Sequence, residues 1–336
     1  MHFFRTIFLK LVDINNWVLF WSSTALILFS TIVIHLLEPE TFPTLFEGFW
    51  WVMTTVTTVG YGDYSPATVP GRIYAVFLYM IGIGLIGVLI GKIVDWFADI
   101  RKKREEGKMD YKGKDHIVII GWSKKAKFAV EEIIESSQAE IVIIDQLEKA
   151  PLLNERTHYI QGNASKKQTM QAANVKEACA VLVFADDTIQ DTELADGKSL
   201  LVASTIENFA SGVHTTVEVM DEEHIKNFNY VHVDEFVLSH EMISRLAVRS
   251  AFMHGVTSVY SQLMSHAHGD DLYEIPVRSS WHTYRDAFEE LLREGATLIA
   301  DGSRLNINRR LDEAISSDSK LFVICDKETY QKLQQQ

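Results

Sequence analysis

Two stretches free of charged residues, Trp17 to Leu37 and Ile73 to Gly91, constrain this chain more than anything else in it. As helices, each is long enough to cross a hydrocarbon layer of about 30 Å. The first run exceeds the roughly 7–15 apolar residues of a secretory signal, and no small-x-small cleavage pattern follows it. No comparable run appears after Lys92. From there short apolar segments alternate with charged helical ones, so a membrane part precedes a soluble part in the 336 residues.

Charge sets the expected orientation. Arg101, Lys102, Lys103 and Arg104 follow the second run, and Arg5 and Lys10 precede the first. Between the runs, Glu38, Glu40, Glu47 and Asp63 face Arg72 alone. The positive-inside rule then puts both termini in the cytoplasm, in a multi-pass protein of the cell membrane. Cys179 and Cys325 both fall in the soluble part, where a reducing cytosol would keep them as buried thiols. The net charge of −13 argues against a nucleic-acid partner.

The connection between the runs is patterned. Thr44 and Glu47 have capping-box spacing, and Leu45 to Val56 can follow as a helix of about 18 Å. That is too short to span a bilayer, which predicts a re-entrant segment. In "TTVGYGDYSP" Gly60 and Gly62 can take backbone conformations closed to other residues, so that successive carbonyls face one way. A row of such carbonyls can replace the hydration shell of a potassium ion. The Thr58 hydroxyl would add oxygens at the inner end, Val59 and Tyr61 would brace the wall, and Asp63 would stand at the mouth.

"WWVMTTVTTVGYGDYSPATVPGR" resembles the pore region of potassium channels with two transmembrane helices, with Thr58-Val59-Gly60-Tyr61-Gly62-Asp63 as the signature. The resemblance implies potassium in the filter and a homotetramer, since one filter strand cannot encircle an ion. One departure is Thr54, at a pore-helix position where some members carry a glutamate paired to the mouth aspartate. Gly82, Gly84, Gly87 and Gly91 interrupt the second run. Small residues at this spacing allow close helix packing. The resemblance also implies a gating hinge at Gly82 and a gate position at Gly87.

Beyond a charged linker, the soluble part alternates strand and helix from His116 onward, the pattern of a doubly wound parallel sheet. Its first turn, Gly121-Trp122-Ser123-Lys124-Lys125-Ala126, is an imperfect dinucleotide fingerprint, with Ser123 in place of a glycine and Asp145 where an acid could take ribose hydroxyls. "HIVIIGWSKKAKFAVEEI" and "ACAVLVFAD" resemble the N-lobe of the RCK, or TrkA-type, domain that regulates potassium conductance, and its "GWS" turn is similar to that of calcium-gated archaeal channels. "DLYEIPV" and the segments after it resemble the C-terminal subdomain of the same family.

The expected architecture is an α-helical membrane pore, with two transmembrane helices and a re-entrant pore helix, joined to an α/β Rossmann-like N-lobe and a small α+β C-terminal subdomain. The expected divisions are pore 1–97, linker 98–115, N-lobe 116–238, crossover helices 239–268 and C-terminal subdomain 269–336. Met109 could start a separate soluble copy of the domain, four of which would complete a ring of eight in similar channels.

Of three carboxylate positions in the calcium-gated relatives, only Glu218 survives here, with Phe184 and Met220 at the others. Asp186, Asp187 and Glu222 are candidate additional ligands for calcium or another divalent ion. "SHAHGDD", with His266 and Asp271, reads as a linker or as a metal or proton site. The expected function is a ligand-gated, potassium-selective tetrameric channel, not an enzyme. The alternatives are a membrane-anchored regulatory subunit of a potassium uptake system and, remotely, a nucleotide-dependent oxidoreductase.

Overall fold

The computed structural model describes residues 15–264 and 269–334. Arg5, Lys10 and the His266–His268 part of the "SHAHGDD" run lie outside the described residues. The chain divides into two compact units, the first ending at Lys103 and the second beginning at Arg104.

In the first unit, helix α1 (Asn16–Leu37) starts at Asn15, whose side chain accepts from the Trp17 N–H. Helix α2 (Leu45–Val56) carries the expected capping box: Thr44 N donates to Glu47 at 2.9 Å and Glu47 N to Thr44 Oγ1 at 3.4 Å. Helix α3 (Val69–Glu105) runs unbroken through Gly82 and Gly87. Ile34, Phe42, Trp51, Val52, Val56, Ala75 and Leu78 form the core where the three helices meet.

Only 28% of the apolar window of α1 and 17% of that of α3 is buried. A core helix of a soluble protein would be mostly covered. Trp17, Phe20, Trp21, Phe29, Ile73, Met80 and Ile83 are all exposed, which water would penalise and a hydrocarbon layer would not.

The second unit opens with a six-stranded parallel sheet of order β3-β2-β1-β4-β5-β6. Its strands are β1 (His116–Ile120), β2 (Ile141–Asp145), β3 (Thr157–Gln161), β4 (Ala178–Val183), β5 (His214–Val219) and β6 (Glu235–Leu238). Helix α4 (Lys124–Ser136) packs on one face, on Ile119, Ile141 and Ile143. Helices α5 (Lys167–Ala172) and α6 (Thr192–Ala210) cover the other, over Val118, Val142, Val181 and Val217. The near-continuous apolar strands follow from burial on both faces.

Helices α7 (Ser239–Phe252) and α8 (Val256–Leu263) have no buried residue and expose Met242, Ile243, Val248, Phe252 and Val259. An antiparallel sheet of order β7-β9-β8 follows, from β7 (Asp271–Ile275), β8 (Thr297–Asp301) and β9 (Leu321–Cys325). Helix α9 (Tyr284–Glu294) packs Tyr284, Ala287 and Leu291 into its core, and α10 (Lys327–Leu333) ends the described chain.

Two expectations change. Cys325 is buried, but Cys179 is exposed. His116 pairs with Ala178 and Ile117 with Ala180, so Cys179 is the extra residue of a bulge and is turned out of the ladder. The linker expected over 98–115 is not a free connector either. Helix α3 continues to Glu105, because its charged last turns keep helical hydrogen bonding, and residues 106–115 are bonded along the second unit.

Candidate functional site

The loop after α2 is hung on that helix's last turn. Thr58 N donates to Thr55 O at 3.0 Å, and Val59 N and Gly60 N both donate to Thr54 O, at 2.9 and 3.0 Å. These bonds satisfy carbonyls that a helix C-terminus otherwise leaves unpaired. They also turn the N–H groups of the loop into the protein. Thr58, Gly60 and Gly62 are left-handed, with φ of 60°, 60° and 76°. Alternating left-handed residues with ordinary ones allows successive carbonyls to face the same side, an arrangement that can line an ion path.

The left-handed Thr58 is informative. A β-branched residue at positive φ is a genuine outlier and costs about 1–3 kcal/mol. Sequence reasoning assigned that freedom to the glycines and missed it here.

Val59 and Tyr61 are exposed within the single chain. Tyr61 stacks on Trp50, ring centroids 5.8 Å apart and 3° from parallel, and Trp50 Nε1 donates to Asp63 at 2.7 Å. Thr54 is buried and turned back on its own helix, donating to the carbonyls of Trp50 and Trp51. Asp63 is therefore fixed by an indole. Further out, the Tyr64 hydroxyl donates to Glu47 at 3.2 Å.

Glu38 was legible only as one acid among four in the connection. It is buried at 2% exposure, and its carboxylate accepts from Ala67 N, Thr68 N and the Thr68 hydroxyl at 2.7–2.8 Å, fixing the start of α3. Gly71 is required beside it, since a Cβ there would lie 2.0 Å from the Glu38 carboxylate. Nothing local signals a partner 29 residues away. In α3, a Cβ at Gly82 would meet Val56 Cγ2 at 3.2 Å, whereas one at Gly87 meets nothing within 4 Å inside the chain. The close-packing account of these glycines therefore has direct geometric support at Gly82.

In the second unit the order 3-2-1-4-5-6 places a switch point between β1 and β4, where open α/β sheets bind ligands. Gly121 has φ +88°, and a Cβ there would sit 3.1 Å from the Phe184 carbonyl. Ser123 caps α4 through Ala126 N. The Asp145 carboxylate accepts from Trp122 N at 2.7 Å and from Gln146 N and Leu147 N. Gly121 and Asp145 thus line a cavity of about 310 Å³ with Trp122, Asn163, Asp186 and Lys198, and Ser123 follows Trp122 in the turn. The acid satisfies the turn's own backbone, so an incoming pyrophosphate would meet a carboxylate there.

The candidate cation ligands do not form one cluster. Among the described residues no group of three or more His, Cys, Asp or Glu side chains could hold a metal ion. Glu218, 3% exposed, is bonded through both oxygens to Lys125 Nζ at 2.8 Å and accepts from Ala185 N. Asp187 joins the same ammonium at 2.7 Å. Burial works against that charge, but Asp187 and Glu218 outweigh it and push Lys125 above the ordinary lysine value. Asp186 turns instead to Lys198 and Thr188; burial would raise its carboxyl, but these bonds hold it down at about 2. Glu222 begins a separate 3-10 turn, Glu222–Phe228. A tethered ammonium occupies the space expected to receive a cation.

Comparison with known proteins decides the kinship of both units. An ion-channel family matches residues 17–99, and the TrkA-N domain family matches 117–239. The chain joins an ion-channel domain to a TrkA-N domain. It is 32% identical over 215 residues to YugO of Bacillus subtilis, a protein named for a potassium channel, covering 63% of this chain and 65% of that one. It is 28% identical over 232 residues to the calcium-gated potassium channel TvoK of Thermoplasma volcanium, covering 68% of this chain and 66% of that one. The chain thus spans just under two thirds of the length of these relatives. The solved GsuK channel matches at a TM-score of 0.50 and 14% identity, over 95% of this chain and 58% of that one, and bears on the fold alone. With the ion-channel domain assigned to 17–99, the loop of Thr58 to Asp63 lies inside it, and the GWS turn opens the TrkA-N domain.

Proposed function

We propose that this chain is one quarter of a potassium-selective channel in the cell membrane, opened by a ligand acting on its TrkA-N domain. The observation that carries the reading is the alternation of left-handed backbone at Thr58, Gly60 and Gly62, a conformation that lets successive carbonyls face one side. A single row cannot surround an ion, so four copies supply the path. The exposed apolar faces of α7 and α8 support assembly of the second units as well, into a ring of four or, with separate soluble copies, eight. The charge asymmetry across α1 and α3 supports cytoplasmic termini.

For the ligand, the gathered turn of Gly121, Ser123 and Asp145 favours a small molecule at the β1–β4 switch point over a divalent ion at Glu218, where Lys125 already stands. A ligand shifts the gate only through its differential affinity for the open and closed states.

The test is purified full-length protein in liposomes under a potassium gradient. The reversal potential is expected to follow the potassium gradient and to ignore sodium, and Gly62→Ala, forced into φ +76°, is expected to abolish the current. A reversal potential indifferent to potassium overturns the proposal. Calcium, nucleotides and protons varied singly then identify the ligand.

A further inference from the structure

Residues 106–115, which leave α3 and enter β1, form a strap stitched to the TrkA-N domain. Ala150 N donates to Glu105 O at 2.7 Å, Gln161 N to Gly107 O at 3.0 Å, Tyr111 N to Ala172 O at 2.8 Å and Asp115 N to Glu177 O at 2.8 Å. Side chains add to the seam: His158 Nε2 meets Met109 O at 2.7 Å, and Asn174 donates to Gly113 O at 2.8 Å. Gly107, at φ +64°, lies so close that a Cβ would be 2.5 Å from Gln161 N. A solvated linker would need none of this.

The strap's one aromatic side chain is set on histidines. The Tyr111 ring lies 4.5 Å from that of His116 and 5.5 Å from that of His158, and its hydroxyl donates to Glu140. His116 has no exposed surface. Its Nε2 is 3.0 Å from the Ala173 carbonyl, so Nε2 carries the hydrogen, and Nδ1 is buried with no partner. Acid would put a second proton on Nδ1, making a buried cation whose new N–H has nothing to donate to.

The groups facing this imidazole are few. Asp115 and Glu140 bring negative charge, Tyr111 covers one face of the ring, and the Cys179 thiol donates to the His116 carbonyl at 3.4 Å. His158 stands beyond Tyr111, and Lys114 is paired to Glu177. We infer that the strap is a proton-released latch: protonation of His116 lifts Tyr111 and detaches residues 106–115, so that acid uncouples the TrkA-N domain from α3. This adds a second input to ligand gating. Its consequence for the pore rests on the proposed channel function, whereas release of the strap does not.

The sign agrees. Burial lowers the His116 pKa, against the Ala173 bond and the carboxylates Glu140 and Asp115 that would raise it. A group so depressed contributes stability that is present above its ordinary value of 6.5 and is lost as pH falls through the folded value.

The experiment is hydrogen exchange on the full chain in detergent, from about pH 8 to about pH 5, read as protection factors at the Tyr111, Asp115 and Gln161 amides. Uptake of one proton on release predicts a fall of about tenfold per pH unit as pH drops from 6.5 toward the folded value, levelling off below it. Val323 in the C-terminal sheet should stay flat. His116→Gln, which keeps a donor for Ala173 O and cannot titrate, should abolish the slope. Strap protection independent of pH overturns the inference, and so does a slope that survives His116→Gln and disappears in His158→Gln. Should His116→Gln fail to fold, imidazole nitrogen shifts of the wild-type protein decide. A neutral His116 that titrates with the strap supports the latch, and a charged one near neutral pH refutes it.

Discussion

Trp50 donates its indole N–H to Asp63 at 2.7 Å while lying parallel to Tyr61. One side chain of α2 therefore braces both the Tyr61 ring and the Asp63 carboxylate of the following loop. Trp50→Phe keeps the stack and loses the bond, at a cost of about 1 kcal/mol, since the pair is partly exposed. The variant should disassemble at lower temperature and lose current sooner during sustained opening. Unchanged stability with unchanged current would mean that Asp63 is held by something else.

Gly82 and Gly87 should separate. Gly82→Ala puts a Cβ 3.2 Å from Val56 Cγ2 and 3.4 Å from its Cα, so α3 must shift against the end of α2. Gly87→Ala meets nothing inside the chain and gains about 0.5–1 kcal/mol of helix propensity. Thermal unfolding in detergent should show Gly82→Ala below wild type and Gly87→Ala at or above it. A reversed order would remove packing as the reason for glycine at position 82 and leave hinging.

Lys125 and Glu218 form a pair that is costly to break from one side. Lys125→Met strands a carboxylate of 3% exposure, and loss of about 3 kcal/mol is expected. The double variant Lys125→Met/Glu218→Met should recover much of that loss, because two apolar side chains can replace a buried ion pair. Chemical denaturation of the four proteins of this cycle measures the coupling. Strictly additive losses would show that the pair is not a unit.

A pH effect opposite in sign to that of the strap is expected at His224. The imidazole lies 2.6 Å from the buried Asp196, which also accepts from Met220 N and Asp221 N and so ties the end of β5 to α6. The bond to Asp196 raises the His224 pKa, with help from Asp221 and Glu193 and against burial. A raised value means stability fully present below 6.5 and lost as pH rises through the folded value. His224→Gln should flatten the alkaline side of the melting-temperature profile while leaving the acid side to His116. An unaltered profile would place the titration elsewhere.

Local pattern was enough to find the pore helix, because Thr44 and Glu47 cap it within one turn and the bounds Leu45–Val56 follow directly. It was enough for β1 and α4 too, since a buried pentapeptide and an amphipathic repeat announce themselves. It failed at Cys179, where a bulge set by pairing with His116 and Ile117 overrides the strand's alternation. Over 106–115 the charged composition read only as a linker, although the strap is held by backbone bonds that leave no mark in composition.

The sequence by itself determined the two charge-free spans, the glycines of the loop after α2 and the alternation that makes a doubly wound sheet, because each depends on residues near one another along the chain. Only the tertiary structure decided that Thr58 shares the left-handed alternation, that Glu38 anchors the start of α3, and that Lys125 fills the place beside Glu218. Charge and hydrogen bonding join groups by distance in space. Lys125 and Glu218 are 93 residues apart, and no local pattern encodes which carboxylate an ammonium will reach.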